Sequence, residues 1–193
     1  MSRKSSLPEV SDPYKNTDLD IELTLSSEKL LTQNFINEIK HKLNRQVKGR
    51  CNNHGFVKTI NRINYDQNVE TLIQNEIVSG DLTGRISCAV SFNAELCVPK
   101  PGDIFRVKIM DMFPGLVMCD YDEIIQIIVE FKNKNYNKDV FEFESKFKKM
   151  TIKSEKRFLN IDDAIYVRIR TAEIKNGAPK IICTAELENV YIK

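Results

Sequence analysis

Apolar and polar residues alternate through the middle of the chain, and this alternation decides how the flanking segments can fold. The apolar set is Ile86, Cys88, Val90, Phe92, Ala94 and Leu96. Because successive side chains of a strand point to opposite faces, the pattern predicts a long β-strand with one buried face. Two prolines and a glycine at residues 99–103 then interrupt regular pairing, since proline fixes φ and lacks an N–H donor. A second strand pattern follows at residues 104–109, and we therefore place a domain boundary near residue 100.

The segment before this strand predicts a tail, a strand and a helix. Residues 1–18 hold almost no apolar side chains and are predicted to be a flexible tail. Four apolar residues then alternate with polar ones and predict the first strand: Leu19, Ile21, Leu23 and Leu25. An apolar residue recurs at every fourth position of the next segment: Leu31, Phe35, Ile39, Leu43 and Val47. This spacing predicts one helix of about five turns, which Ser26 or Ser27 caps and Gly49 closes.

Short strand patterns dominate the rest of the chain. Residues 50–63 are typical of two strands around a turn, and residues 65–84 of a polar connection. After the boundary, three strands form a meander, a Lys-rich insertion with partial strand character occupies residues 132–156, and two further strands flank Asn176-Gly177. Five short strands with a long connection after the third predict a small Greek-key barrel of the OB type.

Composition narrows the class of protein. The chain has 193 residues, of which 41% are apolar, and its net charge is +2. So small a positive charge excludes a protein that holds nucleic acid by bulk electrostatics alone. No apolar run approaches the roughly 20 residues of a membrane-spanning helix, and the N-terminus lacks the apolar core of a signal peptide. We therefore expect an intracellular protein without membrane contact.

The reactive residues do not favour catalysis. The five cysteines are scattered without a C-x-x-C pair, which favours buried reduced thiols over disulfides or a zinc site. His41 and His54 are the only histidines, and neither is expected to pair with a cysteine as a base. Asp120, Asp122 and Glu123 could be proposed as a metal site, but three carboxylates where a strand begins are more often a solvated edge. We predict no enzyme activity, no metal and no cofactor.

The order of the predicted elements resembles a known family. The residues that carry the resemblance are DLDIELTLSSEKLL (18–31), VKGRCNNHGFVKTINRI (47–63), AVSFNAELCVPKPGDIFRVKIMD (89–111) and YVRIRTAEIKNGAPKIICTAEL (166–187). In this order, the first two are similar to the opening strand and the Gly-Cys-turn-Gly-aromatic element of one protein family. The last two are similar to its strand that runs into a Pro-x-x-Gly-acidic junction and to its closing hairpin. That family is the larger stalk subunit of multisubunit RNA polymerases, which is the seventh subunit of the eukaryotic enzyme and has a counterpart in the archaeal one. The resemblance covers about residues 19–193.

The resemblance implies a fold class and a function for each part of the chain. The fold class would be α+β, with an N-terminal RNP-like sheet and one long helix followed by a C-terminal OB-fold β-barrel. The implied domains are a flexible tail (1–18), an RNP-like polymerase-docking domain (19–99) and an OB-fold RNA-binding domain (100–193). The chain would be a non-catalytic stalk subunit of a DNA-dependent RNA polymerase. Its expected partners are RNA polymerase core subunits, a small helical stalk partner subunit and nascent single-stranded RNA.

Candidate site residues follow from the same resemblance. The residues implied to dock on the polymerase core are Leu30, Leu31, Ile77, Val78 and Gly80, and exposed apolar side chains suit such a patch. RNA contact would fall to the barrel, because a groove with basic and aromatic side chains binds phosphates and stacks bases. The RNA-binding candidates are Arg106, Lys108, Phe113, Tyr121, Arg168 and Arg170.

The chain also departs from the family pattern. The first barrel turn, usually a Gly followed by an aromatic residue, is Phe113-Pro114-Gly115-Leu116, and the tail and the Lys-rich insertion have no clear counterpart. Frequent Ile, Asn and Lys are typical of an AT-rich genome, such as that of a large DNA virus or an AT-rich eukaryote. The expected location is the nucleus, or the cytoplasm or virion if the chain is viral. The alternative hypothesis is a free-standing OB-fold RNA-binding protein that is not part of a polymerase.

Overall fold

The computed structural model describes residues 8–26, 35–64, 76–77, 85–130, 141–144, 149–152 and 157–190. The chain forms two compact units. The sheet unit is Tyr14–Cys97, and the barrel unit combines Met1–Pro13 with Val98–Lys193. Both units bury apolar side chains of their own.

The sheet unit is built around the strand with the alternating pattern. Its described elements are β1 (Tyr14–Ser26), α1 (Phe35–Gln46), β2 (Cys51–Asn52), β3 (Gly55–Asn64), β4 (Glu76–Ile77) and β5 (Arg85–Cys97). The sheet has the order β1-β5-β3-β2, β4 also pairs with β5, and every pairing is antiparallel. The strand predicted around residues 86–96 is thus confirmed as β5, and its described apolar side chains from Val90 to Leu96 are buried.

Helix α1 has one apolar side and a glycine shortly after its end. Ile39, Leu43 and Val47 are buried, as expected for apolar residues spaced four apart. Gly49 has a φ of 75°, and its N–H donates a 2.8 Å hydrogen bond to the Val57 carbonyl. The predicted left-handed conformation of Gly49 is confirmed.

The barrel unit contains a closed barrel and a small second sheet. Its strands are β6 (Ile104–Phe113), β7 (Leu116–Tyr121), β8 (Ile125–Glu130), β9 (Phe141–Glu144), β10 (Lys149–Ile152), β11 (Arg157–Leu159), β12 (Ala164–Glu173) and β13 (Ile181–Val190). The barrel order is β6-β7-β8-β13-β12, with β12 paired back to β6. Strands β8 and β13 are parallel and the other barrel pairs are antiparallel. Alternate side chains fill the barrel, among them Phe105, Val107, Ile109, Val117, Cys119, Ile127, Val167 and Cys183.

The predicted fold class is wrong. Sequence patterns indicated an α+β chain with an RNP-like sheet and one long helix before an OB-fold barrel, whereas the described residues are mostly β-strand with one short helix. Helix α1 has 12 residues, a little over three turns at 3.6 residues per turn. The N-terminal part of the predicted helix, residues 27–34, lies outside the described residues. The apolar spacing identified the buried side of α1.

Polar segments form more strand than their composition predicts. Residues 14–18, predicted as part of the tail, are the start of β1, where Asn16 is the partner of Glu95 and Asp18 the partner of Asn93. Part of the Lys-rich insertion, for which partial strand character was predicted, forms β9 and β10, which pair with each other, and β10 also pairs with β11. Backbone pairing needs no apolar side chain, and polar cross-strand pairs also stabilise a sheet. The low apolar content of residues 14–18 therefore gave too little weight to strand in that segment.

Candidate nucleic-acid interface

Two basic side chains project from the outer face of β6. Phe105, Val107 and Ile109 point into the barrel and are buried, while Arg106 and Lys108 between them are exposed. The period of two that makes β6 a barrel strand thus places both cations on the same outer face. They lie two residues apart, which corresponds to about 7 Å along a strand.

The neighbouring strand β12 extends this basic row. Arg168 lies opposite Ile104 of β6, and Tyr166 lies opposite Arg106. Arg168 is half-buried and Arg170 is exposed, and the buried Ile169 separates them. We call Arg106, Lys108, Arg168 and Arg170 the basic row. The structure thus brings all four predicted basic residues onto two paired strands of the barrel.

Glutamates of β13 bind both arginines of β12. Arg168 donates from Nε to Glu188 Oε2 at 2.9 Å and from Nη2 to Glu188 Oε1 at 2.8 Å, which is a bidentate ion pair. Arg170 donates from Nε and Nη2 to Glu186 Oε2 at 3.0 and 2.6 Å. The hydrogen bond between Arg168 and Glu188 raises the pKa of the arginine and lowers the pKa of the glutamate. These arginines are therefore charged but locally neutralised.

The two β6 cations differ in their partners. Lys108 Nζ lies 2.9 Å from Asp162 Oδ1, and both side chains are more than half exposed, at 58% and 72%. Arg106 forms no ion pair with any residue that the structure describes. Among the four cations of the basic row, Arg106 is thus the one whose charge no described carboxylate neutralises.

The two aromatic residues that were predicted to contact RNA, Phe113 and Tyr121, lie in different environments. Phe113 lies at the end of β6, before the Pro114-Gly115 turn, and is 39% exposed. Tyr121 instead stacks on the buried Phe105, with ring centroids 4.8 Å apart and planes 28° apart. The Tyr121 ring therefore packs on the barrel core, and Phe113 is the aromatic candidate whose surface is open to solvent.

Sequence analysis missed several exposed apolar side chains in the described part of the barrel unit. Among them are Met110, Phe158 and Ile161, which are 54%, 55% and 40% exposed. Two backbone hydrogen bonds connect the turn that contains Ile161 to Ile109 of β6. The Asp162 N–H donates to the Ile109 carbonyl, and the Ile109 N–H donates to the Asp163 carbonyl, each at 2.9 Å. Met110 therefore lies close to this turn in the backbone.

Alternation along β6 could have identified Met110 as an outward residue. Buried residues of β6 are two apart up to Ile109, and the next one is Met112, three positions later. This shift corresponds to the irregular register between Ile109 and Asp111, which makes Met112 instead of Asp111 the next buried residue, whereas Met110 is outward by the same alternation as Arg106 and Lys108. No comparable signal in the sequence identifies Phe158.

Polar side chains of β1, β3 and β5 on one face of the sheet unit hydrogen-bond to one another. Asn61 Nδ2 donates to Asn16 Oδ1 at 2.9 Å and to Asn93 Oδ1 at 3.1 Å. Asn93 in turn donates to Asp18 Oδ1 at 2.9 Å, and Ser91 donates to Asp20. With carboxylates of β1 in this network, the face offers less attraction to phosphate than the basic row does.

The predicted docking residues lie mostly outside the described part. Leu30, Leu31, Val78 and Gly80 are outside it, and Ile77 is described only as a backbone position of β4 paired with Ile86. The docking patch therefore stays a prediction.

Both carboxylate oxygens of Asp120, at the start of the acidic turn between β7 and β8, have partners within the protein. Asp120 Oδ2 accepts from the Glu123 N–H at 2.8 Å, and Asp120 Oδ1 lies 2.8 Å from Lys180 Nζ. Asp122 and Glu123 follow in the left-handed region, with φ values of 53° and 59°. In the described ranges, no three His, Cys, Asp or Glu side chains are grouped closely enough to hold a metal ion.

Comparisons with known proteins give no family assignment. No protein-family model matches the chain, and a search among curated proteins finds no match. Of the helices that the structure describes, none has the length and apolar composition needed to cross a membrane.

Proposed function

We propose that the chain is a non-catalytic stalk subunit of a DNA-dependent RNA polymerase and that its barrel contacts nascent single-stranded RNA. The observation that carries the RNA contact is the exposed pair Arg106 and Lys108 on the outer face of β6. Both are cations that bind phosphate, and Met110 and Phe113 of the same strand offer exposed apolar surface to bases. The polymerase assignment rests on the sequence resemblance.

The proposed RNA contact uses few charges. The basic row holds four cations, and three of them lie against Asp162, Glu186 or Glu188. Binding to phosphates releases counterions, and for single strands the logarithm of the binding constant falls with the logarithm of salt by about 0.7 per phosphate. We therefore expect weak binding with a shallow salt dependence, which suits a subunit held near the transcript by other contacts.

Replacing Arg106 by alanine tests the RNA contact. Affinity for a fluorescent single-stranded RNA, measured by anisotropy between about 50 and 200 mM salt, should fall, and the salt slope should become shallower by about 0.7. The matched control is R62A, which removes another exposed arginine from a strand, β3 of the sheet unit. Equal losses from R106A and R62A would indicate a general charge effect and contradict a contact at the barrel.

The polymerase assignment needs a separate experiment. The tagged full chain is purified from its native extract, and the proteins that accompany it are identified by mass spectrometry. Large polymerase subunits together with a small helical partner are expected. If RNA binds through Arg106 but no polymerase subunit accompanies the chain, the free-standing RNA-binding protein replaces the stalk subunit as the function.

A further inference from the structure

The glutamates on β13 occupy the groups of β12 that would bind phosphate. An arginine binds a carboxylate and a phosphate in the same way, with two parallel N–H donors. In Arg168 these donors are Nε and Nη2, and both are directed at Glu188. Nε and Nη2 of Arg170 are likewise both directed at Glu186. Each arginine therefore presents to its own glutamate the edge that an RNA phosphate would use.

The register of the barrel makes this arrangement regular. Arg168 and Glu186 are directly opposite each other on β12 and β13, yet Arg168 pairs with Glu188, two residues further along, and Glu186 pairs with Arg170. Two diagonal ion pairs thus cross the same strand pair side by side. Both lie on the outer face, because the neighbouring Ile169 and Ala185 are buried.

The ion pairs are accessible to a competing anion. The side chains of Arg168 and Glu188 are 39% and 31% exposed, and those of Arg170 and Glu186 are 37% and 31% exposed. Ion pairs with this much contact to water are weak, because solvent screens them and two long side chains must be held in place. A chain of phosphates that binds Arg106 and Lys108 at the same time raises the local anion concentration next to Arg168.

We propose that Glu186 and Glu188 compete with RNA phosphates for Arg168 and Arg170 and thereby determine how many phosphates the barrel neutralises. This inference rests on the proposed RNA-binding function. With the glutamates in place, RNA gains mainly Arg106 and Lys108. When a phosphate displaces a glutamate, the freed carboxylate returns to water and the arginine binds one anion in place of another through the same N–H donors.

The test is to remove the two carboxylate charges and measure RNA binding. E186Q/E188Q keeps side chains of nearly the same size that can still accept hydrogen bonds from the arginines. Affinity for single-stranded RNA at about 50 mM salt should increase about tenfold, since each exposed ion pair corresponds to a factor of up to about five. The salt slope should steepen by about 1.4, from two further phosphates.

Two further variants separate competition from a general charge effect. E173Q removes one carboxylate from β12 of the same hairpin, where Glu173 pairs with Lys175 at 3.1 Å rather than with the basic row. It should change RNA affinity by less than about twofold. The quadruple variant E186Q/E188Q/R168A/R170A should lose the whole gain, because the released arginines are then absent.

The outcomes distinguish this inference from the proposed function. A gain in E186Q/E188Q that the quadruple variant abolishes supports the inference. If the unmodified chain binds RNA but E186Q/E188Q binds no more tightly, or if E173Q gives an equal gain, the inference fails and the RNA-binding function stands. If neither the unmodified chain nor E186Q/E188Q binds RNA at about 50 mM salt, both are overturned.

Discussion

At the scale of single residues, a cation of the barrel is neutralised or not according to the side chain that the neighbouring strand or turn places beside it. The four cations of the basic row are close together, but three have a carboxylate partner and Arg106 has none among the described residues. Counting basic residues therefore overstates the positive potential of this face. The carboxylate partners, more than the number of arginines and lysines, set its affinity for phosphate.

The buried cysteines allow a prediction at the same scale. Cys119 and Cys183 point into the barrel on either side of Ile127, and burial raises the pKa of each thiol to about 12. The reactive thiolate is therefore scarce at neutral pH. We expect both residues to resist iodoacetamide at about pH 8 in the native protein and to react after unfolding in guanidinium.

Peptide mapping by mass spectrometry reads out each cysteine separately. The unfolded protein is the control for complete labelling. Modification of Cys119 and Cys183 at the same rate before and after unfolding would contradict their burial in the barrel.

At the scale of elements, the end of α1 depends on one glycine. Gly49 has a φ of 75°, and no atom lies within 4 Å of the position that a Cβ would take. Alanine at this position would cause no clash but would be strained in the left-handed region, so G49A should destabilise the protein by about 1 kcal/mol. Chemical denaturation measures this loss.

The matched variant at this position is G49N. Asparagine enters the left-handed region more readily than alanine, so its cost should be smaller. Equal losses for G49A and G49N would indicate that something other than backbone conformation sets the cost.

The elements that sequence could predict are those with an apolar face. The alternation around Phe92 identified β5, and Asn176-Gly177 identified the turn between β12 and β13, because both patterns report on burial or turn geometry. Alternating apolar residues, Phe141 and Phe143 in β9 and Met150 and Ile152 in β10, likewise gave the Lys-rich insertion its predicted partial strand character. The fold class was wrong because the described residues are mostly β-strand with one 12-residue helix, α1, and an RNP-like sheet with a long helix is not shown.

The candidate site was predictable only in part. Alternation along β6 places Arg106 and Lys108 outward, so a strand prediction suffices for these two. The partners of Arg168 and Arg170 depend on the register of β12 against β13, which shifts twice, between Tyr166 and Val167 and between Ile169 and Thr171. Single-sequence patterns do not determine such shifts, and the neutralising glutamates were therefore not identified.

At the scale of the whole molecule, each unit has its own buried core. Phe92 is buried in the sheet unit, and Phe105 is buried in the barrel unit, where it also stacks on Tyr121. Truncating a buried phenylalanine to alanine costs about 3–5 kcal/mol, because apolar contacts are lost and a cavity remains. We predict that F92A and F105A each destabilise mainly their own unit.

Amide hydrogen exchange measured by mass spectrometry tests this prediction. F105A should increase exchange chiefly in β6, β7, β8, β12 and β13, and F92A chiefly in β1, β3 and β5. I182A is a control in the barrel, since Ile182 is 38% exposed and its truncation leaves no internal cavity. Equal increases throughout the chain in F92A and F105A would show that the two units unfold as one.

The parallel pairing of β13 with β8 has a consequence for synthesis on the ribosome. Residues 181–190 complete the barrel by pairing with β12 on one side and with β8, more than 50 residues earlier in the chain, on the other. Until the ribosome has released them, β8 and β12 each keep an unpaired edge, although the other barrel strands have already been made. Such edges readily pair with other chains. The barrel unit is therefore most dependent on chaperones in the short interval before its last strand emerges.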